Sequence, residues 1–273
     1  MKVTGIELIN VRGFKHLERT ELSTTINVFV GPNNSGKSTI INSIYILQNP
    51  NVLQKRDITI GEQNGEIRLY VKGNYPPVMK LDSHSQYILK MLTGGNLQIN
   101  RGQLGNSSLG QIPPKEPENL IYPYLSKRKV ASFNDAINDS VANSITGNFS
   151  NLFAKIDRLV TPEFQPANSE YLKACDDILS FRISSIASSN GKQAVYFIRN
   201  NENITLSAMG DGVVNILGLI TDLCVAENKI FLIEEPENDI HPKALKLLLD
   251  LIIEKSVFYF YSLQYCNEAF GRF

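Results

Sequence analysis

The chain has 273 residues, 42% hydrophobic and 20% charged, a balance ordinary for a globular protein with a buried core and a length that suits one large α/β domain or two small ones. Lys plus Arg and Asp plus Glu number 27 each, so bulk charge points to no polyanionic partner and any nucleic-acid surface must be a local patch. No apolar run approaches the roughly 20 residues that cross a bilayer, and the N-terminus opens into a strand pattern rather than a signal peptide, so the expected location is cytoplasmic, with no membrane partner.

Residues 3–9 alternate in a β-leaning pattern, and after the turn Val11-Arg12-Gly13-Phe14 a second strand is expected over residues 17–22. Residues 26–30 (Ile-Asn-Val-Phe-Val) read as a third strand, and residues 39–47 as a buried helix. Short strands are expected at 58–60, 66–71 and 78–81, joined by Gly, Asn and Pro turns. Residues 94–118, rich in Gly, Asn, Ser, Gln and Pro, read as a loop, and strand character returns at 118–125. Helical periodicity runs through 132–160 and 168–187, followed by a hairpin of 194–199 and 203–206 around Asn-Asn-Glu. The last third is the clearest: an apolar helix at 212–225, a buried strand at 229–235 ending in two acids, a helix at 242–253 with Pro242 early, and a strand at 256–261. The three cysteines, Cys175, Cys224 and Cys266, are odd in number and lack metal-ligand spacing. They read as reduced thiols.

Between the third strand and the first helix lies Gly31-Pro32-Asn33-Asn34-Ser35-Gly36-Lys37-Ser38-Thr39, which fits G-x-x-x-x-G-K-[ST]. A strand, a glycine-bearing turn and a helix start are the context this phosphate-wrapping loop requires. The helix N-terminus directs N–H groups and the positive end of its dipole at phosphate. Lys37 would reach the β- and γ-phosphates, and the Ser38 hydroxyl would sit on Mg²⁺. Downstream, Ile230-Phe-Leu-Ile-Glu234-Glu235 puts two carboxylates at the end of a buried strand, where a parallel sheet binds its ligands. One acid can join the Mg²⁺ shell while its neighbour orients or deprotonates an attacking water; taken alone, the pair could equally be solvated at a strand exit. Between these lies Leu206-Ser207-Ala208-Met209-Gly210-Asp211-Gly212, leading into the apolar helix, where Ser207 and Gly210 could present a second anion site.

In this order the three segments resemble the ABC-type ATPases, and the resemblance covers nearly the whole chain. Gly31 to Ser38 matches Walker A, residues 206–212 resemble the signature in a looser L-S-x-x-G-x-G form, and Ile230 to Glu235 matches Walker B. The opening Ile6-Glu-Leu-Ile-Asn-Val-Arg-Gly-Phe and the string Glu234-Glu-Pro-Glu-Asn-Asp-Ile-His-Pro are similar to those of RecF, SMC and OLD-type (overcoming lysogenisation defect) ATPases. The resemblance implies an α/β P-loop NTPase, an ABC-ATPase-like head with a mixed sheet, N-terminal antiparallel strands and a helical insertion. Its lobes would be 1–93, 94–190 and 191–273. It implies a homodimer joined head to tail, with ATP and Mg²⁺ held between one subunit's Walker motifs and the other's signature. Gly31, Asn33, Asn34, Ser35, Gly36, Lys37, Ser38 and Thr39 would bind the nucleotide, and Ser207 and Gly210 the γ-phosphate of a partner's ATP. Ser38 and Glu234 would hold Mg²⁺, while Glu235 would be the catalytic base and Lys37 the catalytic cation. Action on DNA, RNA, an effector protein or a nuclease domain is implied, in genome maintenance or anti-phage defence. The alternatives are the ATPase subunit of a membrane transporter and a nucleotide-binding remnant with little turnover.

The sequence departs from the family pattern twice. After the strand at 122–125 comes Ser126-Lys-Arg-Lys129, with no Q-loop glutamine, and residues 258–264 carry no switch histidine. The second departure suggests a truncated or frameshifted C-terminus. His241, before Pro242, is either a motif residue at the dimer-facing loop or a turn residue at a helix start. Arg12 lies near the nucleotide by resemblance or is a solvated strand end. His16 and His84 read as surface residues, and Lys127-Arg128-Lys129 as a solvated turn or a phosphate contact.

Overall fold

The computed structural model describes residues 1–49, 53–73, 86–92, 98–102, 112–114, 116, 118–125, 152–163, 166–189, 191–197, 202–226, 228–237, 240–255 and 258–263. The chain divides into two compact units, one of Met1–Tyr122, Asn228–Glu234 and Phe258–Phe273, the other of Pro123–Glu227 and Glu235–Val257.

The first unit holds an antiparallel sheet of β1 (Lys2–Val11), β2 (Phe14–Glu21), β4 (Asn64–Lys72), β5 (Gln86–Leu92) and β6 (Gln98–Gly102), in the order β2-β1-β4-β5-β6. In β4 every second residue (Gly65, Ile67, Leu69, Val71) is buried, the period that a strand with one face in a core imposes. Its other face pairs charge with charge across the register Glu7↔Arg68. Arg68 donates to Glu7 at 3.1 Å and also to Glu66, and the Tyr70 hydroxyl donates to Glu7 at 2.8 Å. Burial opposes ionisation of Glu7, but the bond from Tyr70 and the charge of Arg68 outweigh it and hold the carboxyl below its usual range.

A second sheet runs β3 (Ile26–Val30), β12 (Phe258–Leu263), β11 (Ile230–Glu234), β7 (Ile121–Tyr124), with β3, β12 and β11 parallel. All five residues of β11 are buried, as expected of a central parallel strand covered on both faces. Helix α1 (Lys37–Tyr45) turns Ile41 and Ile44 inward, and the Phe231 ring stacks on Tyr122 with centroids 4.9 Å apart. The buried Gln48 side chain binds the start of β7 three times, donating to Ile121 O at 3.0 Å and accepting from the N–H groups of Leu120 and Ile121, each at 2.8 Å. One amide thus satisfies backbone groups that burial would otherwise leave unpaired.

The second unit contains α2 (Leu152–Leu159), α3 (Ala167–Ala174), a π-helical turn (Cys175–Leu179), the antiparallel strands β8 (Ile183–Ser188), β9 (Gly191–Phe197) and β10 (Asn203–Thr205), and helices α4 (Asp211–Val225) and α5 (Pro242–Glu254). Helix α4 is buried almost all round, and its one deep carboxylate is paired: Asp222 accepts from the Tyr124 hydroxyl at 2.5 Å and from Lys155 at 2.6 Å. An unpaired charge at that depth would cost several kcal/mol.

Three expectations change. The strand expected at 58–60 does not form: Ile58 makes an isolated antiparallel bridge to Val11, and residue 60 begins a turn. The helical stretch 168–187 stops early: Ser180 takes a left-handed φ of 65°, which ends the helix, and residues 183–188 join β9 as a strand. Within the expected loop 94–118, residues 98–102 form β6, recruited by the edge of β5 rather than by any apolar pattern of their own. The expected strand at 78–81, the helix before residue 152, the basic string 127–129, His84 and Cys266 lie outside the described residues.

Cys175 and Cys224 are free and buried. Burial pushes their thiols up to about 11 and about 12 respectively. A thiol raised on folding keeps its proton in the native state, so its stabilising contribution is full below the ordinary thiol range and is lost as pH rises through 11 and 12. In a Cys266→Ser variant, iodoacetamide is expected to label neither remaining thiol at pH of about 8 in the native state and both in denaturant. Native labelling as fast as the denatured reaction would contradict this burial.

Candidate active site

The phosphate loop leaves β3 at Gly31 and enters α1 at Lys37. Two residues in it take left-handed backbone, Asn34 at φ 64° and Gly36 at φ 94°, a region open to glycine and tolerated by asparagine. No side chain caps α1 and no acid lies in its first turn, so neither claims the N–H groups at its start nor repels an anion there. Lys37 curls back over the loop, donating to Gly31 O at 2.7 Å and Pro32 O at 2.9 Å. Its ammonium therefore lies against the first two carbonyls of the loop. Asn33, Asn34, Ser35 and Ser38 are exposed, while Thr39 is buried in the first turn of α1, its carbonyl accepting from Ser43 at 2.7 Å.

Glu234 ends β11 and is 2% exposed. The register sets it opposite Ser262 of β12, and Ser262 opposite Phe29 of β3. The first acid thus stands level with the end of the loop-bearing strand, two strand spacings away, or roughly 10 Å between backbones. A carboxylate and a serine hydroxyl are hard oxygen donors, the set that Mg²⁺ selects. Ser38 and Glu234 carry such oxygens and would hold that ion, which when bound would neutralise charge on the β- and γ-phosphates. Glu235, the next residue, has φ 51°. A non-glycine residue in that region costs about 1 kcal/mol or more and persists where the surroundings over-determine it.

Ser207 and Gly210 both lie in the second unit, at the start of α4. Ser207 sits in a short 3₁₀ turn (Leu206–Ala208), exposed, its hydroxyl 3.1 Å from that of Thr205. Gly210 is the residue before the helix, also exposed, and no side chain caps the helix there. His241 accepts through Nδ1 from Lys243 N at 3.2 Å and so caps α5, which gives it the turn role. Arg12, at φ 51°, donates from Nε to Asp57 at 2.7 Å. This pairing, 45 residues apart in sequence, left no local signal.

A family model described as "AAA domain, putative AbiEii toxin, Type IV TA system" matches residues 26–257. The chain belongs to the AAA_21 family. It is a P-loop ATPase, an ATP hydrolase by kind. A curated protein of Helicobacter pylori named "ATP/GTP phosphatase" is 25% identical over 300 residues, covering 91% of this chain and 80% of that protein. Among solved structures, an SMC head bound to the C-winged helix domain of ScpA superposes with TM-score 0.70 at 15% identity, covering 97% of this chain and 90% of that one. The recombination mediator RecF bound to ATP superposes with TM-score 0.57 at 12% identity, covering 99% and 93%. At these identities the solved structures establish the P-loop NTPase fold of this AAA_21 chain. Among the described residues, no helix is long and apolar enough to cross a membrane.

Proposed function

We propose that this chain hydrolyses ATP in composite sites of a head-to-tail homodimer and uses closure of that dimer to act on nucleic acid or on an effector protein. The observation that carries the dimer is Gly210. Its backbone, at φ −65° and ψ 149°, is one that any residue adopts. A Cβ added there would meet nothing within 4 Å. Glycine is a permitted N-cap, but neither the backbone angles nor the packing require it here, whereas a ligand brought close to bare backbone would. A partner's γ-phosphate is such a ligand, with Ser207 beside it as a hydroxyl donor. In the same reading Gly31 to Thr39 cradle the phosphates, Lys37 neutralises them, Ser38 and Glu234 hold Mg²⁺, and Glu235 takes the proton of the attacking water.

An OLD- or RecF-like role in genome maintenance or anti-phage defence is the finer reading. It is supported by the Arg12-Gly-Phe opening and the Glu234-Glu-Pro-Glu-Asn-Asp-Ile-His-Pro string. The test is the dependence of turnover on protein concentration. A dimeric site predicts that ATP hydrolysed per chain falls in proportion as the protein is diluted below its dimerisation constant. Turnover per chain that stays constant down to nanomolar protein, with the chain sedimenting as a monomer in ATP, would overturn the composite site.

A further inference from the structure

Gly36 poses a problem that its own helix does not solve. Glycine at φ 94° is free to move, and no side chain caps α1 to fix the loop. Yet the N–H groups around it must hold a preset cradle if phosphate is to bind without an ordering cost. The atoms that limit Gly36 come from the N-terminal hairpin. A Cβ built on Gly36 would lie 2.6 Å from Phe14 Cε2 and closer still to Cζ, so the ring edge sits directly against the glycine's α-carbon.

The ring is itself held on a fastened turn. The Arg12 N–H donates to Asp57 O at 2.8 Å and its Nε to the Asp57 carboxylate at 2.7 Å. The Thr59 hydroxyl lies 2.9 Å from Arg12 O and 3.4 Å from Phe14 O, and Thr59 N donates to Asn10 O at 3.0 Å. Asp57, 3% exposed, is fixed in turn by Gln54 N at 2.7 Å. A continuous series of contacts thus runs from residues 54–59 through the β1–β2 turn and the Phe14 ring to the loop.

We infer that Phe14 is a positioning residue for the phosphate cradle: its ring, carried by the Asp57-anchored turn, holds Gly36 in the conformation that binds the nucleotide's phosphates. This rests on the reading of Gly31 to Thr39 as the nucleotide site. It also gives a physical use to the phenylalanine of the opening string that the catalytic roles leave idle.

The test compares wild type, Phe14→Ala and Phe14→Leu by fluorescent-ADP binding, by steady-state ATP hydrolysis and by thermal melting. Because both nucleotides place phosphates in the cradle, Phe14→Ala is expected to weaken ADP binding and raise KM for ATP by about tenfold, with kcat changed by less than about threefold. Phe14→Leu, which restores apolar bulk, should recover most of the loss. A ring that only fills space would lower the melting temperature and the active fraction while leaving KM and the ADP constant of the folded protein unchanged, and that result overturns the inference. A fall in kcat alone, or no recovery with leucine, overturns it too. Lys37→Ala separates the two levels: wild-type binding that survives Lys37→Ala would sink the nucleotide site itself, whatever Phe14 does.

Discussion

Glu235→Gln is expected to lower ATP turnover roughly a hundred- to ten-thousand-fold, the range that removal of a positioned general base produces, while leaving nucleotide binding intact. Glutamine keeps the volume and the hydrogen-bonding reach of glutamate and loses only the basic oxygen, so the missing rate reports proton transfer. The backbone offers a control. Glu235 holds φ 51° directly after a fully buried strand, and glycine adopts that conformation without strain. Glu235→Gly and Glu235→Ala are therefore both expected to lose the same activity, with the glycine variant more stable than the alanine variant by a few tenths of a kcal/mol to about 1, because both remove the side chain and only glycine relieves the strain, partly offset by its freer unfolded chain. Loss of turnover in both, with glycine the more stable replacement, is the pattern of a residue strained for chemistry. It is read from steady-state hydrolysis beside thermal melting. Full activity in Glu235→Gln would move the base elsewhere. A wild type without turnover above that of Lys37→Ala and Glu235→Gln would make the chain a nucleotide-binding remnant.

What was legible in the sequence was what the chain encodes locally. The phosphate loop announces itself through Gly31, Gly36 and Lys37 between an apolar strand and an apolar helix. The run Ile230 to Ile233 is apolar throughout because β11 is covered on both faces, and α4 reads as a helix because nearly every side of it is buried. The hairpin of β9 and β10 was visible from its turn residues. The misses are elements whose state is decided by a distant partner. Residues 98–102 carry one apolar side chain among five, yet they pair with β5 because that edge offers unsatisfied N–H and C=O groups. Residues 183–188 keep a helix-like spacing and form β8 instead, since the left-handed Ser180 breaks the helix and β9 supplies the ladder. The candidate site divides in the same way. Its motif residues were readable, but the support beneath them was not: Phe14 against Gly36, Arg12 on Asp57 and Gln48 on β7 span 22, 45 and 73 residues of chain. Each depends on the folded chain returning to itself, and no window of the sequence contains both partners.

Mixing two inactive proteins is expected to restore activity, and this is the sharpest test of the composite site. Lys37→Ala removes the ammonium that spans Gly31 O and Pro32 O at the loop and leaves the start of α4 untouched. Gly210→Asp puts a carboxylate on an exposed glycine whose neighbourhood is open and whose φ any residue accepts. It should fold normally and repel a phosphate brought to it. Each protein alone should therefore fall to background. In a heterodimer one site inherits both defects, but the other joins the intact loop of the Gly210→Asp chain to the intact helix start of the Lys37→Ala chain. If subunits exchange at random and sites act independently, an equimolar mixture regains about a quarter of wild-type turnover, since half the dimers are mixed and half their sites are whole. A site made within one chain cannot complement, because every loop would then face its own defect or its own mutated helix start. Recovery thus assigns Gly210 to the partner's nucleotide, whereas a mixture as inactive as its components, under conditions where exchange is shown by a labelled subunit, confines the chemistry to single chains.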